Sequence, residues 1–239
     1  MRQELREPRR YMALLRVVAE GRASLYEAAV AAGIDPRTVH RYFEILEELD
    51  IVDLRRPLGF RRGTRVFFRD DYYRFWFTYV LPNRHALELG RGLSRIAEHV
   101  LRTVDSYAAQ TFQRIVGDHL QELYMLGASP IEPLRYGLWW HWGGETDIVV
   151  INPGESASFL EVKWGDLSLD EARRTARRLR AKVSYTGLQE RVNHYVVIAR
   201  SIPGLSEPVM SIGEGSIAVD FSEIFWGLLK AAEDRGPRE

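Results

Sequence analysis

The chain of 239 residues is long enough for one large or two ordinary domains, each with its own hydrophobic core. It contains no Cys, which excludes disulfides and a Cys-based zinc site, and no apolar run approaches the length of a membrane span, so we expect a cytoplasmic protein without membrane segments. The 33 basic and 33 acidic residues balance, which is not the charge pattern of a strong non-specific nucleic-acid binder.

Three helices are predicted at the start of the chain. Apolar residues recur at helical spacing over 8–20, and Gly21 follows as a stop signal. A second, short helix begins at the capping box that runs from Ser24 to Glu27. A third helix is predicted from Pro36 to about residue 49, since Asp-Pro is a strong helix start.

Two short strands, 51–56 and 64–68, are predicted next, and together with the helices they are typical of a winged helix-turn-helix, which we assign to residues 1–82. Such a domain contacts DNA through its third helix and its wing. The candidate contacts are the polar and basic residues of these segments, Thr38, His40, Arg41, Arg55, Arg56, Arg61, Arg62 and Arg65. Acidic residues end the third helix and would repel DNA, so a protein-docking or linker role for this domain stays open.

The middle of the chain is predicted to connect two domains. The aromatic segment 70–81 has the composition of an interdomain core. A bridging helix is expected within residues 83–105, and a second amphipathic helix from about 106 to 125 begins a second domain, 106–239.

A β-hairpin is predicted from two apolar runs, 148–151 and 159–162, that flank Asn-Pro-Gly. Side chains alternate along a strand, so Glu145 and Asp147 share one face of the first strand, and Glu161 and Lys163 share one face of the second. If the register brings these faces together, three carboxylates and one ammonium group converge. Glu145, Asp147 and Glu161 would then supply the hard oxygen ligands that Mg²⁺ or Mn²⁺ prefers, while solvated charges on an edge strand are the alternative interpretation.

The remaining elements follow in simple order. A capping box at Ser168 predicts a helix over 168–182, whose many Arg side chains are typical of a solvated face or of a DNA-backbone contact. A buried strand is expected at 193–200, then a Pro/Gly loop to residue 215, a short strand at 217–219 and a closing helix at 222–232.

The spacing of an Asp, about a dozen residues and then Glu-x-Lys resembles the signature of the PD-(D/E)XK nuclease superfamily. On that resemblance the fold is α/β, a winged helix followed by a restriction-endonuclease-like domain. Asp147 and Glu161 match the metal ligands of the family, and Lys163 matches its catalytic Lys. The resemblance thus implies a Mg²⁺- or Mn²⁺-dependent endonuclease that acts on DNA, with Asp147, Glu161 and Lys163 as catalytic residues.

A wider set of features comes in the same order as in the C-terminal half of the archaeal P-loop ATPases, which this chain resembles. These features are Glu7-Pro8, Tyr11, the predicted winged helix, Phe75-Trp76, Phe112, Trp139-Trp140, the stretch from Glu145 to Ile148 and the stretch from Glu161 to Trp164. The ATPase motif G-x-x-x-x-G-K-[ST] does not occur in the sequence, so ATP binding is not implied. The chain is therefore expected to be a stand-alone relative or a fragment whose motor is a separate ATPase subunit, and the family leads us to expect a homodimer.

One residue departs from the nuclease pattern. Members of the superfamily often carry a metal-binding Glu just after the residue that matches Phe112, and this chain has Gln113 there. An amide is a poorer ligand for Mg²⁺ than a carboxylate, although Asp118 or Glu122 could substitute. A catalytically inactive DNA-binding or ATPase-docking module with a vestigial nuclease fold is accordingly the alternative function.

Overall fold

The computed structural model describes residues 7–21, 23–127, 129–141, 144–184, 186 and 188–233, and the chain divides into two compact units, Met1–Val104 and Asp105–Glu239. No helix of the described chain is both long and apolar enough to cross a bilayer.

The first unit begins with three helices, α1 (Pro8–Ala19), α2 (Leu25–Ala32) and α3 (Val39–Glu48). The Ser24 hydroxyl caps α2 by accepting from the backbone N–H of Glu27 at 3.2 Å. Helix α3 begins three residues later than predicted from Asp35-Pro36. The Asp35 carboxylate instead accepts from the backbone N–H of Arg37 at 2.9 Å, which holds residues 36–38 in a turn.

An antiparallel hairpin follows, formed by β1 (Val52–Arg55) and β2 (Arg65–Phe68), as the sequence predicts. Its apolar side chains complete one core with the three helices, in which Leu14, Phe43 and Leu46 are fully buried. This core is what fixes α3 and the loop between the strands relative to each other within the unit.

The aromatic segment packs onto the same core of the first unit. It forms α4 (Asp71–Phe75) and a π-helical turn (Trp76–Val80), and a 3₁₀ turn (Leu81–Asn83) and α5 (Arg84–Glu88) follow. Asp70 caps α4 by accepting from two backbone N–H groups, and Phe77 lies against Phe68 with ring centroids 6.2 Å apart.

A single long helix, α6 (Leu93–Asp118), replaces the two helices predicted to meet near residue 105, and the short α7 (Leu120–Met125) follows it. The prediction of a break was wrong because the run from 94 to 116 contains neither Gly nor Pro, so nothing in it ends a helix. The break comes instead at His119, two residues after Gly117.

The second unit is built on a six-stranded mixed sheet. Its strands are β3 (Arg135–His141), β4 (Gly144–Ile151), β5 (Ala157–Asp166), β6 (Val192–Ser201), β7 (Val209–Gly213) and β8 (Ser216–Asp220), in the spatial order β3-β4-β5-β6-β8-β7. The pairs β5-β6 and β6-β8 are parallel, and the other pairs are antiparallel. Helix α8 (Leu169–Val183) lies between β5 and β6 in sequence, and α9 (Phe221–Glu233) follows β8.

The predicted hairpin is confirmed, since Ile148 pairs with Leu160 and Val150 with Ser158. The capping box at Ser168 is also confirmed, as its hydroxyl accepts from the N–H of Glu171 while the Glu171 carboxylate accepts from the N–H of Ser168. Strand β7 contradicts the predicted Pro/Gly loop, because this short segment pairs with β8 along the sheet edge.

The two faces of the sheet are covered by different helices. On one face Ile148, Leu160 and Val162 share a core with residues of α6 and α7, among them Phe112 and Leu120. On the other face small residues of α8 pack against alternate residues of the parallel strands, as in Ala176 against Val197 and Ala199. Because neighbouring side chains of a strand point to opposite faces, Asp147, Glu161 and Lys163 lie on the α8 side.

Candidate active site

Asp147 and Glu161 come together where the ladder between β4 and β5 ends. The last paired residues are Ile148 and Leu160, so Asp147 and Glu161 are the next residues on each strand. The Asp147 carboxylate takes the place of a backbone acceptor, with its Oδ2 accepting from the backbone N–H of Val162 at 2.7 Å. This bond holds the carboxylate against the backbone of β5 next to Glu161, whose charge acts on it, so the structure brings these two predicted residues together.

Glu161 is the most buried charged group of the cluster, with 8% of its side chain exposed. A buried carboxylate needs partners, and two Lys residues provide them. Lys163 Nζ lies 2.7 Å from Oε1, while Lys182 Nζ lies 3.1 Å from Oε1 and 3.0 Å from Oε2. Both ammonium groups stay partly in water, since the Lys163 and Lys182 side chains are 43% and 40% exposed.

The charges of the cluster have a clear effect on the pKa of Asp147. Burial, followed by repulsion from Glu161, raises the pKa of Asp147 to about 6. The hydrogen bond from Val162 and the charges of Lys163 and Lys182 act in the opposite direction but do not cancel the rise. A carboxylate kept beside another carboxylate in a poorly solvated place gains strongly from an additional cation.

The chemistry of these oxygens fits a hard divalent cation. Mg²⁺ is commonly held by one or two carboxylates, with water and substrate phosphate completing its octahedron. Asp147 Oδ1 has no hydrogen bond within the described residues, and Asp147 and Glu161 could therefore both face one ion. Within the same residues there is no group of three His, Cys, Asp or Glu side chains that could hold a metal. The side chain of Glu145, the third predicted ligand, lies outside what the structure describes.

Within the described residues, helices α6 and α7 add no carboxylate to the cluster of Asp147 and Glu161. Phe112 packs edge-on against Trp164, with centroids 5.6 Å apart, on the face of the sheet away from Asp147. Gln113 makes no hydrogen bond with the cluster, Asp118 lies 3.8 Å from Arg114 in an ion pair, and Glu122 is exposed.

Lys182 is the residue that the sequence reasoning missed. It lies in the last turn of α8, 21 residues after Glu161, so no local pattern connects the two. One signal was present in the composition. Only three of the 33 basic residues are Lys, and two of those three bind the same carboxylate.

The predicted DNA contacts of α3 fall into two groups. Thr38 and His40 already have partners within the unit, since the Thr38 hydroxyl donates to the carbonyl of Asp35 at 3.0 Å and His40 Nδ1 lies 3.2 Å from Glu44. Arg41 is exposed.

The basic residues of the hairpin also differ in exposure. Arg56, Arg61 and Arg62 are exposed in the loop between β1 and β2. Arg65 is half-buried on β2, and Arg55 is held 2.7 Å from Asp53. The loop therefore offers a cluster of accessible guanidinium groups.

Comparison with known proteins gives two findings. A family profile, DUF234, which carries the description of archaeal and bacterial proteins of unknown function, matches residues 76–175 and so includes Asp147, Glu161 and Lys163. An uncharacterized protein of Methanocaldococcus jannaschii is 28% identical over 207 residues, which cover 84% of this chain and 46% of that protein. The chain thus spans about half the length of this relative, and both findings are compatible with an archaeal family. No solved structure matches the chain.

Proposed function

We propose that this protein binds DNA and that its second unit is a Mg²⁺-dependent endonuclease of the PD-(D/E)XK type. The observation that carries the proposal is that Asp147, Glu161 and Lys163 lie close together on two neighbouring strands. The Val162 N–H donates to the Asp147 carboxylate, and the Lys163 ammonium group donates to the Glu161 carboxylate. Two carboxylates beside an accessible ammonium group suit the hydrolysis of a phosphodiester, whose transition state gains negative charge.

The topology supports the same proposal. A helix, an antiparallel hairpin, a second helix and a parallel strand follow one another as α6, β4-β5, α8 and β6, which is the order that the nuclease resemblance implies. In the first unit, three helices and a two-stranded hairpin follow the order of a winged helix, and its loop presents Arg56, Arg61 and Arg62 to solvent.

Each residue of the cluster has a distinct role in this proposal. Asp147 and Glu161 would hold the ion, which when bound supplies Lewis acidity at the scissile phosphate. Lys163 lies close to the same carboxylate and is partly exposed, so its ammonium group can donate to the attacking water or to a phosphate oxygen. The bond from Val162 keeps Asp147 in place without a second side chain.

A second candidate function is favoured by one observation. Lys182 contacts both oxygens of Glu161, so two ammonium groups already compensate this carboxylate. With the ionised Asp147 included, two carboxylates and two ammonium groups carry no net charge. A cluster that is neutral in this way could be purely structural, and the protein would then be an inactive DNA-binding or ATPase-docking module.

Calorimetric titration of Mn²⁺, followed by cleavage assays on linear and branched DNA, tests the proposal. We expect the wild type to bind Mn²⁺ and cut DNA, and Asp147→Ala to lose both. Glu155→Ala is the matched control, because Glu155 is an exposed acid in the turn of the same hairpin. Absence of Mn²⁺ binding by the wild type would refute the nuclease and leave the inactive module.

A further inference from the structure

Lys182 holds Glu161 in a different way from Lys163. Lys163 belongs to the same strand, two residues away, and contacts one carboxylate oxygen. Lys182 reaches the carboxylate from α8 and lies within 3.1 Å of both oxygens. It therefore occupies the part of Glu161 through which an ion would be bound.

Lys182 and a divalent cation would compete for this position. Glu161 has about four lone-pair sites, and three contacts from the two ammonium groups already use most of them. Two positive groups next to a ligand oxygen also repel an ion of charge +2, strongly so in a partly desolvated site. Glu161 therefore cannot bind a divalent cation and keep both Lys contacts unweakened at the same time.

Of the two Lys residues, Lys182 is better suited to move away from Glu161. Its ammonium group is carried on a long flexible stem from the end of a helix, and 40% of its side chain is already in water. An Arg in its place would present a planar fork matched to both carboxylate oxygens, which exchanges less readily than a compact ammonium group. The chain uses Arg at nearly all of its basic positions but has Lys here.

We propose that Lys182 is an exchangeable counter-ion of Glu161, which neutralises this carboxylate in the metal-free protein and leaves it when a divalent cation binds. The proposal rests on the metal site of the proposed function. It assigns to α8 a positioning residue that controls how tightly the carboxylates hold the ion, and it predicts that the native Lys weakens metal binding.

Calorimetric titration of Mn²⁺ into Lys182→Met and the wild type tests this directly, because Met keeps the stem and removes the charge. We expect the variant to bind Mn²⁺ on the order of five- to tenfold more tightly, as loss of a partly exposed ion-pair competitor implies. The matched control is Arg178→Met, which removes one exposed positive charge one turn earlier on the same helix. Unchanged or weaker binding by Lys182→Met, or an equal gain in Arg178→Met, would overturn the proposal.

Acetylation of the wild-type protein, read by mass spectrometry, gives an answer that does not depend on a variant. Only Lys163, Lys182 and Lys230 can react as Lys residues. We expect saturating Mg²⁺ to raise the acetylation rate of Lys182 severalfold relative to Lys230, because an ammonium group that has left the Glu161 carboxylate is more accessible to the reagent. An unchanged rate would overturn the exchange.

The two proposals fail in different ways. If the wild type binds Mn²⁺ and cuts DNA while Lys182→Met binds no more tightly, the exchange is wrong and the nuclease remains. If none of the proteins binds Mn²⁺, both proposals are wrong, and Lys182 is a permanent partner of Glu161.

Discussion

Replacing Asp147 by Asn should make the metal-free protein more stable at pH 8, and the gain should disappear in acid. The pKa of Asp147 rises from 3.8 to about 6 on folding, because the folded chain buries the carboxyl group beside Glu161. Each pKa unit corresponds to about 1.36 kcal/mol, so the ionised form destabilises the folded state by ~3 kcal/mol at pH 8. An Asn side chain has the same shape, can still accept from the Val162 N–H, and carries no charge.

The sign follows from which state releases its proton first. Below pH 3.8 the carboxyl group is protonated in both states and contributes nothing. As the pH rises through this value the unfolded chain ionises first, so the wild type loses stability until the folded state also ionises at a pH of about 6. The full loss persists above that pH, and the advantage of Asp147→Asn should fall to less than about 1 kcal/mol at pH 4.

Urea unfolding in EDTA, followed by Trp fluorescence, measures this difference. Five of the six Trp residues lie after residue 104, so the signal reports mainly on the second unit. Glu161→Gln is the informative control, since it should change stability in the opposite direction. A variant Asp147→Asn that is no more stable than the wild type at pH 8, or whose advantage is equal at both pH values, would refute the electrostatic account of the cluster.

The remaining predictions concern stability and DNA binding. Glu161→Gln should lower the free energy of unfolding by ~2 kcal/mol at pH 8, because two ammonium groups lose their anionic partner and one of its two acceptor oxygens. Asp220→Ala should cost about 2–3 kcal/mol in urea unfolding, since the buried N–H of Ile202 donates to this carboxylate at 2.6 Å. Arg61→Ala and Arg62→Ala should each weaken DNA binding and reduce the slope of log affinity against log salt by about 1 in fluorescence anisotropy titrations.

Controls for these predictions are available in the same elements. Asp170→Ala removes an exposed carboxylate from the first turn of α8 and should change stability by less than about 0.5 kcal/mol. Arg37 is already held by Asp35 at 2.7 Å, so Arg37→Ala should change the salt slope less than Arg61→Ala. Equal effects of control and test variants would contradict the assignments.

Local patterns in the sequence predicted much of the fold. The hairpin of β4 and β5 follows from two apolar runs around a turn, and the helix starts at Ser24 and Ser168 follow from their Ser-x-x-Glu sequences. Such elements are specified by residues that are neighbours in sequence, and the nearness of Asp147 to Glu161 follows from the hairpin register.

Features that depend on tertiary packing were not predictable in the same way. Lys182 reaches Glu161 only because α8 packs across the sheet. No sequence pattern near Lys182 predicts this packing. Strand β7 is short and lacks alternation of apolar and polar residues, and it exists because β8 offers it an open edge. The uninterrupted α6 shows the reverse error, since two helices were predicted in a run that contains no helix breaker.

Asp147 and Ile148 are sequence neighbours that lie on opposite sides of the sheet. A slip of β4 by one residue would push the carboxylate into the apolar core with Phe112 and would turn Ile148 towards the two ammonium groups. Apolar packing on one side of the sheet and charge pairing on the other thus both disfavour a one-residue slip of β4. A change in length of the turn at 152–156 that shifts this register would remove the core and the candidate site in a single step. Selection for a stable sheet is therefore enough to keep the carboxylates aligned, whether or not the chemistry is in use.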